Sequence, residues 1–170
     1  MVGSGSKDIT YLTSYKKLKD ENLIYEEYID GIEYNAEGFL YKKEIFLYSL
    51  MEKKKLRNSK SVSYILKNNS LSNKAINRIK SILLKFILES GYPNGPFHIE
   101  IIRQLKTNKI FIIEGHPREA GFDMFFFTCK KITGLDLYKN SINIKMNKKI
   151  DINNLKTKEK FKYFCCRMIP

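Results

Sequence analysis

The sequence predicts an α+β fold in which an antiparallel sheet carries packed helices, and three observations lead there. Residues 24–52 alternate apolar and polar side chains in the manner of strands; residues 76–88 repeat apolar side chains at helical spacing; residues 98–118, HIEIIRQLKTNKIFIIEGHPR, read as two β-rich runs around a short polar break. At 170 residues the chain is long enough for one compact unit with its own core.

Taken in order, VGSGSKDITYL reads as a glycine- and serine-rich loop entering a strand, and SYKKLKDENL as a short helix capped by Ser14. The stretch LIYEEYIDGIEYNAEGFLYKKEIFLYSLMEK predicts a three-stranded meander with turns near Asp30-Gly31 and Lys42-Lys43. Residues 53–69 are basic, polar and aperiodic, which predicts a long surface loop. Ser72 or Asn73 then caps a helix whose Ile76, Ile79, Leu83, Phe86 and Ile87 fall on one face, with Gly91 at its stop. Beyond the hairpin, a helix of about a dozen residues is expected before Gly134, followed by a polar tail and a last strand near KFKYFCCRMI.

The formal charge is +13, which points to anionic partners. Nearly all of the excess is lysine, only Arg57, Arg78, Arg103, Arg118 and Arg167 being arginines, and it is spread along the chain. A nucleic-acid footprint should be clustered and interleaved with aromatics, so nucleic acid is not the expected partner. Cys129, Cys165 and Cys166 include no CxxC spacing, which argues against a disulfide framework or a zinc site and for reduced thiols in the cytoplasm. No segment approaches the apolar length of a membrane span.

The informative residues lie in the hairpin. With Lys106-Thr107-Asn108 as a three-residue loop, Leu105 faces Lys109 and Glu100 faces Glu114. Two carboxylates on facing positions point to the same side of a sheet, with Cβ atoms about 5 Å apart. In a half-buried site they share a proton or need a cation. Magnesium carrying substrate phosphates suits such a pair, since it takes oxygen ligands and leans on one or two carboxylates. Glu114, His116 and Arg118 follow at every second position, and Pro117 favours an extended His116. Arg118 suits bidentate contact with a phosphate or carboxylate. Both histidines of the chain, His98 and His116, lie here.

Taken together, GSGS at residues 3–6, YEEYIDGIEYNAEG, GPFHIE and FIIEGHPREAG resemble the ATP-grasp superfamily, ligases that activate a carboxylate with ATP and pass the acyl group to an amine. The resemblance runs from GSGS to about TGLDL. It implies that Glu100 and Glu114, with His116 where the family usually has asparagine, hold Mg2+, and that Arg118 is the catalytic contact to phosphate or acyl phosphate. It further implies that Ser4, Gly5 and Ser6 close over the ATP phosphates, that Glu26, Glu27 and Ile29 line the adenine, and that Glu33 reaches the ribose. Glycines let backbone N–H groups approach phosphate oxygens, which suits that loop.

The implied organisation is a partial small lobe at 1–50, a large lobe with the metal-binding hairpin at 51–150, and a tail at 151–170 packing on the large lobe. The family's N-terminal domain and the start of its small lobe, with a phosphate-binding lysine, are expected to be lacking; Lys7 or one of Lys53, Lys54 and Lys55 could supply the charge. The expected partners are ATP, a small carboxylate and an amine acceptor, with a separate N-terminal subunit or a homo-oligomer kept open. Two other functions stand beside the ligase: a nucleotide-binding subunit without turnover, and a basic nucleic-acid-binding protein.

Overall fold

A computed structural model of the chain describes residues 24–55, 61–67, 71–121, 134–150 and 163–167; for 54–55, 61–67 and 163–167 it describes the backbone alone. The regular elements are β1 (Gly31–Tyr41), β2 (Glu44–Lys55), β3 (Ser61–Lys67), α1 (Asn73–Glu89), β4 (Gly95–Gln104), β5 (Ile110–His116), α2 (Leu137–Lys145) and β6 (Tyr163–Arg167). The strands form one six-stranded sheet in the order β5-β4-β1-β2-β3-β6, antiparallel at every pairing.

The β1–β2 turn falls where the sequence places it. Lys42 and Lys43 both have positive φ, 51° and 63°. That twist joins two strands tightly, although lysine is not the residue it favours. Residues 24–30 form no strand, so the expected meander has two strands, β1 beginning at Gly31. The loop expected at 53–69 is also corrected: β2 runs on to Lys55, and Ser61–Lys67 forms β3 between β2 and β6. Sheet pairing supplied what local periodicity did not show. Residue 50, the expected boundary between the lobes, lies inside β2. The helices expected near residue 14 and before Gly134 fall on residues outside those described, apart from a few at the latter's start; residues 137–145, expected as polar tail, form α2.

Helix α1 starts at Ser72, whose side chain accepts from the Ala75 N–H. It ends in a Schellman motif: Tyr92 N–H bonds to Ile87 C=O, Gly91 N–H to Leu88 C=O, and Gly91 takes φ 68°. Its Ile79, Leu83 and Ile87 are fully buried against Tyr34, Ala36, Ile99 and Ile101 of β1 and β4. Each such side chain contributes about 1.5–3 kcal/mol by leaving water. On the opposite face, Phe39 and Tyr48 pack with Leu135, and with Leu137 and Ile144 of α2, at the end of β1 away from the β4–β5 loop. The stretch of that second face between α2 and the loop carries the polar residues.

Candidate functional site

Alternation along three strands sorts the side chains. On β1, Tyr34 and Ala36 face α1, so Glu33, Asn35 and Glu37 face the other way. Register then aligns Glu37 with His98 and Asn35 with Glu100 on β4, and Glu37 with Ser49 and Asn35 with Met51 on β2. On the outer side of β4, His98 pairs with His116 and Glu100 with Glu114 of β5. The two acids therefore stand on one face of the sheet, as the sequence predicts.

They reach that pairing by a different route. The loop has four residues, 105–108, since Gln104 N–H bonds to Lys109 C=O, and Arg103 pairs with Ile110 and Ile101 with Ile112. A bulge then inserts Ile113, which restores the register at Glu100 and Glu114. Asn108 takes the left-handed conformation expected of it, with φ 55°. Gly115 sits beside the bulge on the α1 face, where a Cβ would lie 2.6 Å from the Phe86 ring and 2.8 Å from the Tyr92 hydroxyl oxygen.

A charged chain crosses the site. Lys53 of β2, its side chain only 7% exposed, forms an ion pair with Glu100 Oε2. Glu100 Oε1 lies 3.7 Å from His98 Nε2, and His98 Nδ1 lies 2.6 Å from Oε1 of Glu37, which is fully buried. Burial disfavours the Glu100 carboxylate, but His98 and Lys53 outweigh it and hold its pKa down at about 2. Burial likewise opposes a charged His98, yet Glu100 and Glu37 outweigh it and raise the imidazole to about 9. Burial pushes Glu37 up as well, and His98 only partly offsets it. Asn35 Oδ1, Glu37 Oε2 and Ser49 Oγ, all buried here, have no hydrogen-bond partner among the described residues.

The remaining predicted residues spread outward. The rings of His98 and His116 stack 5.9 Å apart at 9°, and His116 Nε2 is 3.4 Å from Glu114 Oε1, whose side chain is half exposed. Arg118, just past β5, is exposed and donates from Nη1 to Glu119 C=O at 2.8 Å; its charge is near enough to act on Glu37. Glu33 is half-buried on the same face, opposite Ile102. Glu26 and Glu27 are exposed and Ile29 half-buried in the irregular segment before β1. Ser4, Gly5 and Ser6 lie outside the described residues. Of the four lysines that the sequence offered as a cation, Lys53 is bound to Glu100; Lys7 and the side chains of Lys54 and Lys55 lie outside those described. Sequence reasoning missed Asn35, Glu37 and Ser49, although polar residues at 33, 35 and 37 alternating with Tyr34 and Ala36 carried a strand-face signal.

Chemically, the site offers two carboxylates on one face, one of them kept ionised, with a lysine and an imidazolium behind it. Among the described residues no group of three or more His, Cys, Asp or Glu could hold a metal ion. The donor set fits a hard cation that takes most of its oxygens from phosphates and water, as magnesium does, and does not form an all-protein cage. Glu100 and Glu114, with His116 beside Glu114, are the residues that would hold it.

A search of curated proteins finds no significant match. Among solved structures, the chain is similar to an L-amino acid ligase from Bacillus licheniformis, with 19% identity and a TM-score of 0.65 over 84% of this chain and 35% of the other. It is similar to phosphoribosylglycinamide synthetase from Anaerococcus prevotii, with 22% identity and a TM-score of 0.65 over 84% of this chain and 36% of the other. A third is the biotin carboxylase domain of 2-oxoglutarate carboxylase from Hydrogenobacter thermophilus, in complex with MgADP, ADP and bicarbonate: 19% identity and a TM-score of 0.60 over 82% of this chain and 30% of that one. The chain thus spans about a third of the length of these relatives, as the partial α+β fold predicted from its sequence would. The family description "ATP-grasp domain" matches residues 6–125. With that match over most of its length and a sheet that carries its acid pair on one face, the chain belongs to the ATP-grasp family.

Proposed function

We propose that this chain is the carboxyl-terminal portion of an ATP-dependent carboxylate–amine ligase. Its reaction transfers the γ-phosphoryl group of ATP to a small carboxylate, releasing ADP; an amine then attacks the acyl phosphate and expels inorganic phosphate. The observation that carries the proposal is the Glu100–Glu114 pair on one sheet face, with Glu100 clamped by Lys53 and His98. Its support from relatives is the MgADP complex of the Hydrogenobacter thermophilus domain and the ligase named in the Bacillus licheniformis structure.

In this reading the residues act by position and charge. Glu100, with its pKa held at about 2, stays anionic throughout the neutral range and keeps its side chain in place through Lys53. Glu114 supplies the second, more exposed carboxylate. Magnesium, when bound to this pair, neutralises charge on the nucleotide phosphates. Arg118 turns from the Glu119 carbonyl to the transferring phosphoryl group, and Glu33 on the same face takes the ribose hydroxyls. Ser4, Gly5 and Ser6 cover the phosphates, and the segment with Glu26, Glu27 and Ile29 borders the base. A small carboxylate and an amine acceptor, with an N-terminal subunit or a second copy, complete the assembly in the cytoplasm. Among the described residues no helix is long and apolar enough to cross a membrane.

Calorimetry with Mg-ATP on the full chain tests the proposal. Binding is expected for the wild type, and Glu114→Gln, a nearly isosteric change at a half-exposed side chain, is expected to weaken it by about tenfold or more, the loss of one charged contact. Wild-type affinity and turnover in Glu114→Gln would rule out the metal role. A nucleotide-binding subunit without turnover is the second reading, favoured by His116 in the asparagine position and by its contact with Glu114. Mg-ATP binding with no ADP formed, across candidate acids and amines with the N-terminal portion supplied, decides for it.

A further inference from the structure

On the face of the sheet opposite the acid pair, the start of α1 meets the β4–β5 hairpin around a pocket of about 450 Å3. Leu71 and Ile110 give it an apolar floor, and Lys74, Arg78 and Arg103 line it without a carboxylate among its lining residues. None of these three cations has an ion-pair partner among the described residues.

Three features of this corner are unfavourable in the free protein, and one anion relieves all of them. First, the opening turn of α1 contains no acid and places Lys74 at the positive end of the helix dipole, where cations are disfavoured. Second, Lys74 and Arg78 are like charges four residues apart on one helix, a spacing that brings them side by side. Third, Arg103 Nε is buried with no hydrogen-bond partner among the described residues. A buried N–H left without an acceptor costs about 1–3 kcal/mol.

The guanidinium is nevertheless held in place. Its Nη1 donates to Asn108 Oδ1 at 2.7 Å, and Asn108 is fixed by the left-handed turn of the loop. A planar fork with one edge anchored and further N–H groups available matches the tetrahedral oxygens of a phosphate. We propose that this pocket binds phosphate, taking a phosphoryl group between Lys74, Arg78 and Arg103 on the side of the sheet away from the acid pair. Inorganic phosphate and the phosphomonoester of a small metabolite share this chemistry.

The test is an NMR titration of the 15N-labelled full chain, reading the Arg103 Nε–H signal and the amides of Lys74, Ala75 and Arg78. The probes are sodium phosphate, glycerol phosphate, and sodium chloride at matched ionic strength. Both phosphates are expected to shift these signals saturably and chloride is not. Tighter binding of glycerol phosphate marks a metabolite site, and equal binding marks inorganic phosphate. Lys74→Gln and Arg78→Gln, at exposed positions that the fold does not need, should each weaken binding by about tenfold, the loss of one charged hydrogen bond. Arg103→Lys keeps the charge but loses the fork, and should weaken it similarly. Equal shifts with chloride, or wild-type affinity in the Lys74→Gln/Arg78→Gln double variant, overturn the proposal. Residue-resolved signals separate this pocket from phosphate bound at the acid pair.

Discussion

The chain from Lys53 through Glu100 and His98 to Glu37 makes the stability of the free protein depend on pH in a direction that can be worked out. His98 is raised from its ordinary 6.5 to about 9 in the folded state. Its contribution is therefore complete below about pH 6.5 and is lost as pH rises through about 9. Glu37, also raised, acts in the same direction. Glu100 is lowered from 4.5 to about 2, so its contribution is complete above 4.5 and is lost as pH falls through about 2. A shift of that size corresponds to about 3 kcal/mol at most. His98 and Glu100 share one interaction and both retain some contact with solvent, which brings the alkaline loss to about 2 kcal/mol. Urea unfolding of the wild type and His98→Asn, under reducing conditions at about pH 6 and about pH 10, measures it, with an expected extra fall in the wild-type midpoint of about 1 M. The difference between the two proteins reports the histidine together with the groups paired to it, Glu37 and Glu100. An identical pH response in the two proteins would refute the charge chain.

Two predictions concern the scaffold. Leu83→Ala opens a cavity between α1 and the sheet at a fully buried position and should cost about 2–5 kcal/mol in the urea unfolding free energy. Gly115→Ala drives a methyl group into the Phe86 ring and should cost about 1–3 kcal/mol by the same measure, with Phe86→Leu restoring some of the loss.

Much of this fold was legible because its signals are local. The Ile79, Leu83 and Ile87 stripe, the Ser72 cap and the Gly91 stop define α1 from neighbouring residues alone. Strand β3 was not legible, since SVSYILK follows a basic run without a clear period and is ordered by pairing with β2 and β6, the latter nearly a hundred residues away in sequence. In the site, the hairpin itself was legible and the facing of Glu100 and Glu114 agrees with its reading, but the four-residue loop and the bulge at Ile113 that together produce that facing were not. The Glu37–His98 and Lys53–Glu100 contacts could not be read either, because they join β1 and β2 to β4 across separations of 61 and 47 residues. Register between strands distant in sequence is settled by the whole sheet, and no short window contains it.

The spare residue at Ile113 has one more consequence. Side chains on a strand swap sides with every residue added, so a hairpin loop that grows or shrinks by one ordinarily reverses everything downstream of it. Here the hairpin tip and the functional end of β5 are phased separately: the tip follows its own count up to Ile112, and the offset is absorbed before Glu114. The loop at 105–108, which also frames the basic corner through Asn108, is thereby free to change length without turning the acids away from each other, provided that the offset at Ile113 is gained or lost with it.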